Sequence, residues 1–147
     1  MFERGVFSPL VKPSGFSRDV PVGTSKIDFG NKETLIEIKM PLTVLQNTFN
    51  KSIINTAHVS AYQRTVRQYA DLAKQAKKGK QVFVFLTYLY RAPAYNPYIY
   101  NNNNKALMKI LLKAQSAGVR FWQNNFKITK EKISLEKSFP LSFCSPH

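Results

Sequence analysis

The sequence predicts a mixed α/β domain in which helices pack on a central β-sheet, with elements in the order β-β-β-α-β-α-β-β. Three observations predict it. Short, alternating, β-branched segments separated by turn residues cluster in the first forty positions. A basic amphipathic helix pattern follows, and after it comes an almost wholly apolar run from Gln81 to Tyr90. A second helical pattern then leads into two further strand-like segments. A helix lying between a hairpin strand and a strand buried on both faces points to a mixed sheet covered by helices.

Residues 1–15 carry Pro13 and Gly15 without periodicity and read as an irregular lead-in. Phe16 to Val22 alternates until Pro21, Gly23 and Thr24 interrupt it, and Lys26 to Phe29 forms a second short strand. Gly30-Asn31-Lys32 is a turn, because glycine and asparagine tolerate positive φ. Thr34 to Lys39 is a third alternating strand, stopped by Pro41, so the first three strands form an antiparallel meander. The polar, asparagine-rich stretch 43–57 reads as a loop. From about Val59 to Lys78, Val59, Tyr62, Val66, Tyr69, Ala73 and Ala76 recur at three- and four-residue steps, and Gly79 supplies the stop. The run 81–90 lacks alternation and belongs in the middle of a sheet. Residues 91–104 read as a loop, and the four asparagines at 101–104 as low complexity. Lys105 to Ala117 is a helix with Leu107, Ile110, Leu111 and Ala114 inward. Residues 119–128 and 132–135 are the last strands, and 142–147 a tail.

A length of 147 residues suits one domain with a core of its own. A hydrophobic fraction of 44% excludes wholesale disorder, and no apolar run reaches membrane-spanning length. The start Met1-Phe2-Glu3-Arg4 is not that of a secretory signal, and the single cysteine, Cys144, makes no internal disulfide, so a cytoplasmic, reducing setting is expected. The strongest global signal is charge: 22 Lys and Arg against 8 Asp and Glu, a net +14. Such an excess attracts polyanions, with nucleic acid first among partners. It also makes any carboxylate inside an apolar strand conspicuous.

Two such carboxylates stand close together. In Ile36-Glu37-Ile38-Lys39 the isoleucines point to one face of the strand and Glu37 and Lys39 to the other. Asp28, on the preceding strand, lies about far enough back to sit beside Glu37 across the hairpin. Two carboxylates can hold Mg²⁺ through hard oxygen ligands, with the backbone carbonyl of Ile38 as a further ligand. The cation polarises a phosphoryl oxygen and activates a bound water, and a neighbouring lysine orients that water or neutralises developing charge. Asp28, Glu37 and Lys39 therefore read as a phosphodiesterase constellation. The plainer reading of the same residues is a solvated strand face with a cross-strand salt bridge.

Several segments also resemble a known family. Phe16 to Phe29, with Arg18-Asp19-Val20 and Gly23-Thr24-Ser25-Lys26-Ile27-Asp28-Phe29, is similar to the opening signature of the sugar fermentation stimulation protein (SfsA) family. Leu35 to Thr43 resembles its acidic strand, and Ala114 to Val119 its second helix end. Gln81 to Leu89, Tyr95-Asn96-Pro97, Ile133-Ser134-Leu135 and Phe139-Pro140-Leu141 follow in the family's order, so the likeness runs from Phe16 to Leu141. It implies a PD-(D/E)xK, restriction-endonuclease-like core that binds DNA and cuts it with Mg²⁺ or Mn²⁺. It carries Asp28, Glu37 and Lys39 over as catalytic residues and Asp19 as an additional acidic residue for the metal, against the plainer reading of Asp19 as an ordinary surface charge. Two departures stand beside it. A chain of 147 residues leaves no room for the family's N-terminal OB-like domain. In the segment before the long helix only Arg64 is kept, with Gln63 in place of an acid and Gln68 in place of a histidine.

The expected function is therefore a DNA-binding, metal-dependent endonuclease, with RNA as another substrate to consider. The alternative is a non-catalytic, regulatory DNA-binding protein that keeps the nuclease fold, and a weaker one is a basic structural protein. Arg18, Lys26, Arg64, Arg67 and Gln68 are the candidate nucleic-acid contacts, against a solvated cationic face. The tyrosines at 88, 90, 95, 98 and 100 could stack bases but are better read as packing. Trp122 reads as core and His58 as a cap or an exposed residue. No membrane association is expected. Superfamily nucleases often work as dimers, and the residues leave a homodimer open.

Overall fold

The computed structural model describes residues 15–40, 51–96 and 105–144, with the backbone alone for 51–62 and 105–106. Six strands and two helices follow the expected order: β1 (Ser17–Val22), β2 (Ser25–Gly30), β3 (Thr34–Lys39), α1 (Lys51–Lys77), β4 (Gln81–Tyr88), α2 (Lys105–Ser116), β5 (Val119–Ile128) and β6 (Ile133–Leu141). The strands form one sheet in sequence order. The β1–β2–β3 meander is antiparallel, β3, β4 and β5 are parallel, and β6 returns antiparallel beside β5. Parallel neighbours need crossovers, which α1 and α2 supply.

The apolar run works as expected for a central strand: every residue from Val82 to Tyr88 is buried. Its two faces serve two clusters. Val82, Val84, Leu86 and Tyr88 join Leu35, Val119 and Phe121 and pack with Tyr69 and Leu72 of α1 and Met108, Leu111 and Ala114 of α2. Phe83 and Phe85 join Ile36 and Phe126 on the other face, with Trp122 half-buried against them. Leu89 and Tyr90, expected to extend this strand, lie beyond its end and are exposed, the Tyr90 ring packing edge-on to Tyr88.

Two boundaries differ from expectation. The long helix begins at Lys51, so residues 51–57 are helical, not a loop. No Gly or Pro occurs from Thr43 to Lys78, so polar composition there lowers helix propensity without stopping the helix. The remainder of the expected loop, 43–50, lies outside the described residues, as do the lead-in 1–14, the asparagine run and His147 of the tail. The last strand runs nine residues, to Leu141, well past residue 135. Pro140 sits in it without penalty because β6 is an edge strand, where a missing N–H costs no ladder bond.

Candidate metal-dependent nuclease site

The site forms where the regular pairing of β2 fails. β2 and β3 are paired at Gly30–Leu35 and Phe29–Ile36; the next pair by count is Asp28–Glu37, and there the ladder stops. Side chains take over its bonds. The Asp28 carboxylate accepts a hydrogen bond from the Ile38 amide, with N···Oδ2 at 2.7 Å, and Glu37 Oε2 accepts one from the Asp28 amide at 3.3 Å. On the other side of β2, pairing with β1 skips from Arg18–Phe29 to Val20–Ile27. The residue passed over opposite Asp28 is Asp19, whose φ of 52° is left-handed, a conformation Asp tolerates better than most residues. Both ladders therefore open at Asp28, and its carboxylate is held against β3.

Lys39 completes the constellation. Its Nζ lies 2.7 Å from Glu37 Oε1 and also donates to Gln68 Oε1 on α1. Gln68 is fixed in turn by donating from Nε2 to the Lys26 carbonyl at 3.3 Å. Glu37 is almost fully buried, 3% exposed, whereas Lys39 keeps contact with solvent at 21%. Burial raises the Glu37 pKa above its ordinary 4.5, with the Asp28 charge adding to the rise and the Lys39 ammonium opposing it. Tyr69, buried beside this group on α1, has its hydroxyl pKa driven upward by burial first, then by Tyr95 and Glu37, so it stays neutral.

The residues read from sequence thus fall into three sets. Asp28, Glu37 and Lys39 are brought together. Gln68 joins them, buried and bonded to Lys39, facing the site instead of the surface. Arg18, Asp19, Lys26, Arg64 and Arg67 are exposed around it, the Arg18 guanidinium lying 5.8 Å from the Phe29 ring centre. Among the described residues no three His, Cys, Asp or Glu side chains come together as a metal cage, and Asp19 lies on β1 across from Asp28.

Sequence reasoning missed Asp71. This buried residue on α1 accepts from the Thr24 amide at 3.2 Å, the Thr24 hydroxyl at 3.3 Å and the Ser25 hydroxyl at 2.6 Å. It clamps the β1–β2 turn onto the helix that carries Gln68 and Tyr69. Gly23 in that turn has φ 58°, and a Cβ there would meet Asp71 Oδ1 at 2.6 Å, so glycine is required twice over. The signal was available: an acid between Ala70 and Leu72 in a chain with eight carboxylates. Also missed was the polar pair on β5. The Gln123 amide donates to the Pro93 carbonyl at 2.9 Å and accepts from the Tyr95 amide at 2.8 Å, and Asn125 donates to the Ala92 carbonyl at 2.7 Å. They pin residues 92–95 at the end of the sheet where the site lies.

With this geometry established, one solved structure stands out. The SfsA protein of Pyrococcus furiosus in complex with Ca²⁺ superposes with a TM-score of 0.59 at 18% identity, over 93% of this chain and 60% of that one. The chain has an SfsA-like fold. It spans about three fifths of that protein's length. No protein-family model and no curated protein matches the sequence. The donor set present suits a hard divalent cation: two carboxylates, Glu37 buried and Asp28 half-buried, side by side. Mg²⁺ in particular keeps several waters and asks for only one or two carboxylates when a phosphate supplies further oxygens.

Proposed function

We propose that the chain is a metal-dependent nuclease that hydrolyses phosphodiester bonds in DNA. The observation that carries this reading is the convergence of Asp28, Glu37 and Lys39 at the break between β2 and β3, on a protein of net charge +14. Asp28 and Glu37 would hold Mg²⁺ or Mn²⁺, with the Ile38 carbonyl as a further oxygen ligand. When bound, the cation supplies Lewis acidity toward the phosphoryl group and a water of lowered pKa. Lys39, held by Gln68, presents its ammonium where negative charge develops as water attacks phosphorus and the P–O bond breaks. Charge on buried Glu37 is costly until it is paired; Lys39 pairs it here, and a bound cation would do the same. The Ca²⁺ bound by the structural neighbour supports a metal at this fold.

A second reading, DNA binding without cleavage, draws support from the Lys39–Glu37 ion pair itself, which neutralises the buried carboxylate without a metal. Plasmid nicking separates the two. Wild type should convert supercoiled to open-circular plasmid with Mg²⁺ or Mn²⁺ and not with EDTA, and Lys39→Ala should lose at least a hundredfold. Absence of nicking with either metal, alongside salt-sensitive DNA binding, would leave the second reading standing and remove the first.

A further inference from the structure

We infer that the projecting β5–β6 hairpin is a duplex-binding ribbon that grips DNA beyond the bond being cut. The inference rests on the nucleic-acid reading of the site and adds where the polyanion is held. Strand register gives the position. Lys39 at the end of β3 lies level with Leu86 on β4 and Gln123 on β5. β4 ends level with Asn125, whereas β5 continues to Ile128. The segment 126–135 is therefore a two-stranded ribbon with no β4 beside it, reaching about 16 Å past the Lys39 row at about 3.3 Å per residue. Because β3, β4 and β5 are parallel, it projects from the end of the sheet that carries Lys39.

The ribbon is built to hold its shape. At its base Asn125 opposes Lys137 while Phe126 opposes Leu135, so Glu136 is an extra residue, a bulge that bends and twists the strand. At its tip the Thr129 amide donates to the Lys132 carbonyl at 2.9 Å, and the Thr129 hydroxyl accepts from the Lys132 amide at 3.1 Å. Its surface is apolar and net basic, with three lysines against one exposed acid, Glu131, at the tip. Lys127, Lys130 and Lys132 are exposed, and the cross-strand pair Ile128 and Ile133 is 50% and 54% exposed. Exposed lysines can contact phosphates, and a two-stranded ribbon is an element that a DNA groove admits. The isoleucine pair then lies against sugar edges, and the chain's net charge of +14 complements the same partner.

Binding of a fluorescein-labelled DNA duplex, followed by anisotropy across NaCl concentrations in EDTA, tests this apart from cleavage. One variant carries Lys127→Gln, Lys130→Gln and Lys132→Gln. A charge-matched control carries Lys74→Gln, Lys77→Gln and Lys78→Gln, three exposed lysines at the end of α1, beside the start of β4 and so at the opposite end of the sheet. The hairpin variant should bind about ten- to a hundredfold more weakly near 0.1 M salt, with the log–log salt slope shallower by about 2 to 3. The control should stay within about threefold of wild type. Equal losses in both variants, or wild-type affinity and slope in the hairpin variant, overturn the inference, as does failure of wild type to bind duplex. Plasmid nicking is read separately. A wild type that never nicks but shows the hairpin-specific loss removes the nuclease reading and leaves the ribbon; one that nicks with an unaltered hairpin variant does the reverse.

Discussion

At Glu37 a strand position and a buried position conflict. β3 needs an alternating residue there, the helix-covered face excludes water, and the carboxylate ends up 3% exposed with its pKa raised. A group whose pKa is higher folded than unfolded favours the folded state only while it is protonated. That contribution is full below its ordinary 4.5 and is lost as pH rises through the folded value. Glu37→Gln should therefore melt at a higher temperature than wild type at pH 7, with the gap closing below pH 4.5, while metal-dependent nicking disappears. A lower melting temperature at pH 7 would show that the Lys39 ion pair outweighs desolvation. The same shift makes cation and proton competitors, so Mn²⁺ affinity measured by calorimetry should rise with pH. Gln68 holds Lys39, and on the proposed nuclease reading it is a positioning residue. Gln68→Ala should lower kcat about 10- to 100-fold with KM little changed, and Gln68→Glu, which keeps an acceptor for Nζ, should recover part of it.

Elements hold the site by two clamps of different chemistry. Asp71 ties the β1–β2 turn to α1 through three hydrogen bonds, so Asp71→Ala removes all three and should cost about 1–3 kcal/mol by chemical denaturation. Beyond stability, it should loosen the seat of Gln68 one helical turn away. Phe85 is fully buried in the cluster on the sheet's second face, stacked parallel to Phe83 with ring centres 6.0 Å apart. Phe85→Ala should cost about 3–5 kcal/mol with the constellation on the opposite face left in place. A loss of less than about 1 kcal/mol would mean the second cluster is not a working core. The two losses should add, because the residues serve opposite faces of the sheet and share no partner.

For the whole molecule, the distribution of charge decides what the chain approaches and the sheet decides where. Parallel β3, β4 and β5 place their C-terminal ends together, and Lys39, the pinned segment 92–95 and the β5–β6 ribbon all gather at that end. The net charge is far from neutral, so association with DNA should weaken steeply with salt, while cleavage at saturating DNA should vary little. Measuring both against NaCl separates long-range attraction from chemistry at the site; parallel loss of the two would place the salt effect in the catalytic step. Among the described residues no helix is long and apolar enough to cross a membrane.

The sequence by itself determined the strand and helix order, the central position of residues 82–88, and the grouping of Asp28, Glu37 and Lys39. These depend on side-chain period and hairpin spacing, which are local. It left the start of α1 and the length of β6 wrong, because polar residues are permissive in helices and an edge strand needs only one neighbour. Only the tertiary structure decided that β2 breaks at Asp28, that Gln68 turns inward to Lys39, and that Asp71 and Gln123 are buried. Each depends on which residue of a distant element arrives opposite, and no period along the chain encodes that. The burial that raises the Glu37 pKa belongs to the same class, since desolvation comes from the helix packed over the strand and not from the strand itself.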